Sequence, residues 1–238
     1  MSAATSPMGD NKTGIKRSAK QAQRMISASE QLESDPAEAD LAQQVREAYA
    51  RDADPIGTLP PPATGKLLGK ATEQKGKGQS PNLFMDKLGE RLAFERTGVR
   101  LYQALIGKLD AYGTFSGGPS ADELERILEE ELLHFQELEQ AITELGGDPT
   151  AVTPSADLMA NVSKGVCDVL GDPRTSLAQC LEAILVAELA DNDAWEALTE
   201  LAENAGEDKL AATFEQALAE EHEHLVLVRR WVAAAQGR

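Results

Sequence analysis

The sequence predicts an all-α protein in which residues 81–238 form a four-helix bundle. Alanine, leucine and glutamate dominate the 238 residues, and all three favour helix over strand. Apolar residues recur every three or four positions in four long segments, as they do on the buried face of a helix. Two short connections flank one long crossover, and this order is typical of bundles whose second and third helices run parallel.

Start and stop signals place the four helices. Ser120 and Glu123 form a capping box that opens the second helix, and Gly146 follows its end. Asp172-Pro173 is predicted to open the third helix. The crossover before it has a helical pattern at residues 155–169. The predicted helices span about 81–111, 120–145, 172–206 and 207–235.

Residues 1–80 are predicted to form an N-terminal arm that is largely disordered or loosely helical. Two segments, 17–34 and 35–51, favour helix, but each has few large apolar residues and cannot bury enough surface to be stable alone. Residues 54–80 are rich in proline, glycine and lysine and are predicted to be a linker. The large apolar residues of the two segments are Met25, Ile26, Leu41, Val45 and Tyr49.

Charge is distributed unevenly between the two parts of the chain. Residues 1–80 hold 11 Lys and Arg against 10 Asp and Glu, whereas residues 81–238 hold 12 against 30. An acidic bundle repels phosphates, so nucleic acid is not expected as its partner, whereas metal cations are compatible with it. Cys167 and Cys180 match no spacing of a metal or redox pair, and both are predicted to be small buried residues.

Each predicted helix has an apolar seam that a glutamate interrupts near its middle. The second and fourth helices add a histidine three positions later, and this spacing places both side chains on one helical face. Ionised carboxylates in a dry core cost several kcal/mol each unless cations neutralise them. The neighbouring acids Glu129, Glu130, Glu220 and Glu223 are interpreted as a solvated face. The residues in the seams are Glu95, Glu131, His134, Glu188, Glu221 and His224.

These six side chains are suited to two divalent metal ions. Four carboxylates balance the charge of two such ions, and the histidines coordinate as neutral imidazoles. Carboxylate and imidazole donors favour iron or manganese, and the lack of thiolate donors disfavours structural zinc. An internal repeat supports a single site, because Glu95 is followed by Tyr102 at +7 and Glu188 by Trp195 at +7.

Over residues 83–235 this constellation resembles the ferritin-like diiron and dimanganese proteins, which include rubrerythrins, bacterioferritins, manganese catalases and small bacterial ferritin-like proteins. Residues 172–179 (DPRTSLAQ) and 219–225 (AEEHEHL) are similar to the small bacterial members. The resemblance implies bridging ligands, terminal glutamates and histidines on two metal ions. Glu131 and Glu221 would bridge, and Glu95 and Glu188 would be terminal ligands, each on one metal, with His134 and His224.

Two further residues take roles from the same resemblance. Asp191, one turn beyond Glu188, is similar to an extra carboxylate of rubrerythrins and is implied as a further metal ligand, with an aspartate where they have a glutamate. Tyr102 is implied as a hydrogen-bond donor behind the ligands.

The resemblance implies an oxidoreductase that reacts two iron ions with dioxygen or hydrogen peroxide, of ferroxidase or peroxidase type, in iron handling or oxidative-stress defence. A dimanganese catalase and a non-catalytic ferritin-like stress or interaction protein are the alternatives. No run of 18 apolar residues and no secretory signal are found, so we expect a cytoplasmic protein without a membrane span. Assembly into a homo-oligomer is left open.

Residues 55–59 (PIGTL) are similar to the short peptides that load cargo into encapsulin shells. Such peptides usually lie at a chain terminus, whereas this segment is internal. We therefore interpret it as part of the proline-bounded linker, with docking to an encapsulin shell as the alternative.

Overall fold

The computed structural model describes residues 19–31, 36–54, 56 and 81–238. Within these ranges the chain is helical apart from turns and connections, and it has no strand, which confirms the predicted all-α class. Every helix in the described ranges is too short or too polar to cross a lipid bilayer. The contacts divide the chain into two units, residues 1–54 and 55–238.

The described part of the first unit, residues 19–31 and 36–54, has two helices, α1 (Ala19–Glu30) and α2 (Pro36–Asp52). Their large apolar side chains are mostly exposed, as expected of segments with little apolar surface to bury. Of the predicted linker, only Asp54 and Ile56 lie within the described residues. Segment 55–59 is therefore outside them except for Ile56, and its interpretation remains a prediction.

Within residues 81–238 the second unit has five helices. Four are long and correspond to the predicted bundle, and the fifth lies in the crossover. The capping box predicted at Ser120 and Glu123 is present at the start of the second long helix. The helices are α3 (Pro81–Tyr112), α4 (Ala121–Glu144), α5 (Pro154–Gly171), α6 (Leu177–Asn204) and α7 (Asp208–Ala235).

The predicted start of the third long helix is wrong. Ser176 caps α6 and forms a capping box with Gln179, whereas Asp172 caps the end of α5. The Asp172 carboxylate accepts hydrogen bonds from Arg174, which fold the 172–175 segment into a turn instead of helix. Lys108 of α3 fixes this turn by donating to the Asp172 backbone carbonyl. Helix α6 therefore begins after Ser176, four residues beyond the predicted start at Asp172.

Side-chain pairs show how the long helices are oriented. Tyr102 of α3 bonds Glu188 of α6, and Trp195 of α6 bonds Glu95 of α3, so these two helices are antiparallel. The helices joined by tight turns, α3 with α4 and α6 with α7, also pack together. Because α3 is antiparallel to both α4 and α6, helices α4 and α6 are parallel, as predicted. Helix α5 packs on α3 and α6.

The bundle core consists of two separate apolar clusters. One is built around Leu105, Leu181 and Trp231, and the other around Leu88, Leu138 and Phe214. A layer of buried polar side chains lies between them at the middle of the long helices. The clusters lie on either side of that layer, whose ligand-type side chains are almost fully buried.

Candidate metal centre

The six predicted ligand residues meet in the buried polar layer. All are at most 3% exposed. They form two triads within which the ligand-type atoms lie within 4.8 Å of one another. The Glu95 triad is Glu95, His134 and Glu221, and the Glu188 triad is Glu131, Glu188 and His224.

Glu221 joins the two triads. Its Oε1 lies 2.8 Å from His134 Nδ1 and its Oε2 lies 3.3 Å from His224 Nδ1. Glu131 also reaches across, because it shares a second group of close carboxylates with Glu95, Asp191 and Glu221. The two triads are therefore one continuous site.

Buried atoms without hydrogen-bond partners indicate what this site can hold. Within residues 81–238, eight buried side-chain atoms form no hydrogen bond, and five of them are ligand-type atoms of the triads. Two of the five, Glu221 Oε1 and His134 Nδ1, lie 2.8 Å apart as an ion pair, and the other three are glutamate oxygens. Unsatisfied buried polar groups are costly, and native folds pair nearly all of them. Divalent metal ions would satisfy these donors without any change of fold. The five atoms are Glu95 Oε2, Glu131 Oε2, His134 Nδ1, Glu188 Oε2 and Glu221 Oε1.

Two aromatic residues support the terminal glutamates. The Tyr102 hydroxyl donates to Glu188 Oε1, and Trp195 Nε1 donates to Glu95 Oε1 over 3.1 Å. Each donor comes from the helix opposite its glutamate, so the +7 repeat in the sequence becomes a crossed pair in space. In both glutamates the bonded oxygen is Oε1, and the oxygen that lacks a partner is Oε2.

The histidines are held by a second crossed pair, which the sequence interpretation missed. His134 Nε2 lies 2.9 Å from Glu220 Oε2, and His224 Nε2 lies 2.7 Å from Glu130 Oε2. Glu130 and Glu220 were predicted to be solvated, but their side chains are only 23% and 28% exposed. A carboxylate on Nε2 keeps the proton there and directs Nδ1 inward, as in many metal sites.

The sequence signal that could have revealed Glu130 and Glu220 is a repeated pattern. Both Glu-x-x-His pairs are preceded by another glutamate, which gives Glu-Glu-x-x-His twice. In a glutamate-rich helix the extra acid is indistinguishable from a surface residue until the two helices are placed side by side. The antiparallel packing of α4 and α7 then brings each extra acid to the opposite histidine.

Arg91 is a second residue that was missed. It is 1% exposed, and its Nη2 donates to both Glu95 Oε1 and Asp191 Oδ1. The guanidinium lies over the Phe94 ring, with Cζ 4.6 Å from the ring centroid. One oxygen of Asp191, the residue predicted as a further metal ligand, is therefore engaged in an ion pair with Arg91. Its role as a ligand remains a prediction.

Gly98 provides space for Glu131. A Cβ atom at position 98 would lie 1.9 Å from Glu131 Oε2, which is far closer than atoms can approach. Gly98 is in the middle of α3, where glycine lowers helix stability by about 1 kcal/mol relative to alanine. This glycine makes room for a ligand at the expense of helix stability.

Protons occupy the site when no metal is bound. Burial, followed by the charge of Glu221, raises the pKa of Glu188 to about 8 and raises the pKa of Glu131 well above its usual value. Burial opposes the charged forms of the histidines, but contacts with carboxylates outweigh it and raise their pKa values, to about 9 for His134 and about 10 for His224. Burial also opposes ionisation of Glu221, yet its contacts with both histidines lower its pKa to about 2.

Metal binding at pH 7 is therefore expected to release at least three protons per chain. Glu188, His134 and His224 have pKa values of about 8, 9 and 10, so all three carry a proton at pH 7 that a bound metal must displace. Affinity should fall as the pH decreases from about 9 to about 6, because protons then compete more strongly. Titration of Mn(II) by calorimetry in two buffers with different ionisation enthalpies gives the proton count. A heat that does not depend on the buffer would contradict this expectation.

Both cysteines are free thiols. Cys180 is buried as predicted, but Cys167 is exposed on α5, so the prediction of burial is wrong for Cys167. Neither residue belongs to the triads, and the site is built from oxygen and nitrogen donors alone. These donors suit iron or manganese.

Comparison with protein families gives a match that covers half of the chain. Residues 118–236 match the family model of the ferritin-like domain. The match includes α4, α6 and α7, and with them five of the six residues of the triads. Neither curated proteins nor solved structures gave a match. The resemblance predicted from the motifs is thereby confirmed: the chain belongs to the ferritin-like family.

Proposed function

We propose that the protein is an oxidoreductase that binds two iron ions in the triads and reacts with dioxygen or hydrogen peroxide. The observation that supports this proposal best is the set of three glutamate oxygens, one each from Glu95, Glu131 and Glu188, that are buried in the triads without a hydrogen bond. A purely structural polar layer would pair such oxygens with hydrogen-bond donors. Within each triad the ligand-type atoms lie within 4.8 Å of one another, as the donors to a metal ion do.

Each group around the triads has a defined task. Glu130 and Glu220 orient the histidines through Nε2, while Tyr102 and Trp195 each hold one oxygen of a terminal glutamate. Ligands held in this way need little rearrangement to bind a metal. Two bound iron(II) ions would supply the two electrons that reduce hydrogen peroxide to water or dioxygen to hydrogen peroxide.

We infer that iron enters the site between α4 and α7. Glu130 and Glu220 lie at this junction, partly exposed on one side and bonded to a buried histidine on the other. Acidic side chains in such a position attract cations toward the ligands. In a ferroxidase reaction iron is itself the substrate, and this route would serve its entry.

Anaerobic loading with Fe(II), followed by addition of each oxidant, tests the proposal. We expect the bound iron to be oxidised faster than free Fe(II) under the same conditions, with ferric absorption appearing in the near ultraviolet. The double variant Glu131→Gln with Glu221→Gln should remain helical and lose this reaction.

Three results would refute the proposal. One is oxidation no faster than that of free iron, together with at most one metal ion per chain. Another is oxygen evolution from hydrogen peroxide by the Mn-loaded protein but not by the Fe-loaded protein, which would indicate a dimanganese catalase. The third is full metal occupancy without reaction toward either oxidant, which would leave the non-catalytic alternative.

A further inference from the structure

Two positions close to the terminal glutamates of the internal repeat are charged in one half of the site and uncharged in the other. Glu95 on α3 and Glu188 on α6 are equivalent, and so are Tyr102 and Trp195 seven residues later. Four residues before the glutamate, α3 has Arg91 where α6 has Ile184. Three residues after it, α3 has Gly98 where α6 has Asp191. At each of these two positions one helix has a charged residue and the other has an uncharged one.

Both charged residues act on the Glu95 triad. Arg91 Nη2 contacts Glu95 and Asp191 together, and Arg91 is also held against the Trp195 ring, with Cζ 5.5 Å from its centroid. In the Glu188 triad, Gly98 beside Glu131 contributes no charge. The Glu95 triad therefore has a guanidinium in contact with one of its glutamates, with Asp191 as the counter-charge, and the Glu188 triad has neither.

Stability does not explain Arg91. Its Nε and Nη1 are buried without hydrogen-bond partners, and burying such groups costs free energy. A buried ion pair is also often no more stable than a well-packed apolar pair. A positive charge at this position does, however, compete directly with a metal ion for Glu95.

We propose that the Arg91–Asp191 pair makes the two metal ions bind in order, the first to the Glu188 triad and the second, more weakly, to the Glu95 triad. This inference rests on metal binding by the triads as proposed above, and not on the reaction with an oxidant. The guanidinium contacts Glu95 Oε1 and competes with a metal ion for that carboxylate, whereas the Glu188 triad has no such competitor. Asp191 neutralises the guanidinium, so the expected penalty comes from this competition for Glu95 and lowers affinity roughly tenfold or more.

Asp191 has a matching role. When Glu95 turns toward a metal ion, Arg91 must keep a counter-charge, since an isolated buried guanidinium is strongly unfavourable. Asp191 already accepts from Nη2, and the unpartnered Nε and Nη1 leave Arg91 with donors for the second Asp191 oxygen. Asp191 thus keeps its ion pair with Arg91 when Glu95 leaves the arginine to bind a metal ion.

The internal repeat supplies the test. The double variant Arg91→Ile with Asp191→Gly gives α3 and α6 the same uncharged residue types at these positions. Titration of the metal-free chain with Mn(II), followed by calorimetry and electron paramagnetic resonance, should show two steps in the wild type. The first equivalent should give an isolated-ion signal and the second a coupled-pair signal. In the double variant the steps should merge, with coupled pairs present from the first additions.

Further variants assign the steps and allow for misfolding. His224→Gln should abolish the tighter step, and His134→Gln the weaker one. Arg91→Lys keeps the charge and should keep two steps. If circular dichroism shows that the first double variant is unfolded, Arg91→Met with Asp191→Asn removes the same charges with less change of volume.

Three results would overturn the inference: equal sites in the wild type, an unchanged separation of steps in a folded charge-free double variant, or loss of the tighter step in His134→Gln. With two ions still bound, each of these would leave the proposed diiron function standing. A chain that binds no Mn(II) and no Fe(II) would refute both.

Discussion

Replacing Glu221 with glutamine is expected to abolish binding of both metal ions while the bundle remains folded. Glu221 is the side chain that contacts both histidines, at 2.8 Å and 3.3 Å. An amide has the same shape but no charge, and one of its two ends cannot bind a cation. Loss of even an outer partner typically costs 10–100-fold in metal affinity, so loss of this shared carboxylate should cost at least about 100-fold.

Folding should survive this substitution because the protons can redistribute. The Glu221 charge is one of the contacts that raise the pKa values of His134 and His224, so both pKa values should fall when it is removed. The buried rings then become neutral more readily and do not remain as unpaired charges. The measurements are metal content by elemental analysis and helicity by circular dichroism.

Glu223→Gln is the matched control. It makes the same chemical change two residues away on α7, where the side chain is exposed. It should keep two ions per chain. Retention of both ions by the Glu221 variant, or equal losses in the two variants, would show that Glu221 does not join the triads.

Gly98→Ala is expected to separate stability from metal binding. Alanine raises the intrinsic stability of a helix by about 1 kcal/mol over glycine. The atom that its Cβ would meet, Glu131 Oε2, is the end of a flexible side chain that can move away. Unfolding without metal should therefore occur at the same or a higher temperature. The displaced carboxylate should no longer serve the Glu188 triad, so the number of bound ions should fall from two to one or fewer.

Gly107→Ala provides the control on the same helix. A Cβ at position 107 meets nothing within 4 Å, so this variant should gain the helix stability and keep both ions. Thermal unfolding followed by circular dichroism, with and without Mn(II), compares the two variants. If Gly98→Ala binds both ions as tightly as Gly107→Ala, position 98 has no role in placing Glu131.

The ligand layer could be predicted from the sequence because it breaks a strong pattern. Glu95, Glu131, Glu188 and Glu221 stand where the three-and-four periodicity demands apolar residues, and a buried carboxylate needs a cation. Periodicity fixes which face of a helix is buried, so residues on four such faces must meet in a bundle. The meeting of the six side chains followed from that alone.

Arg91 was not predicted because the three-and-four periodicity allows more than one choice of buried residue on α3. Steps of three or four lead from Leu88 to Glu95 through either Arg91 or Leu92, and an apolar residue is the natural choice. In the structure both are buried. Only the packing of α3 against α6 shows that Asp191 is present to pair with the arginine.

Helix boundaries were predictable where one signal stood alone. Ser120 has no competitor and caps α4 as expected. Before α6, however, the helix begins after Ser176 and not at the predicted Asp172-Pro173. Arg174 bonds to the Asp172 carboxylate and Lys108 of α3 bonds to the Asp172 carbonyl, and these contacts hold residues 172–175 in a turn. The contact with Lys108 joins residues far apart in sequence, so a local pattern could not reveal it.

The most direct test of the metal centre is to count the metal ions on the full chain. The protein is stripped of metal, reloaded anaerobically with Fe(II), and examined by native mass spectrometry with elemental analysis. Two divalent ions per chain are expected, with none retained when Glu131 and Glu221 are both replaced by glutamine. One ion or fewer on the wild-type chain, or two ions on the folded double variant, would contradict a dinuclear site built from these triads.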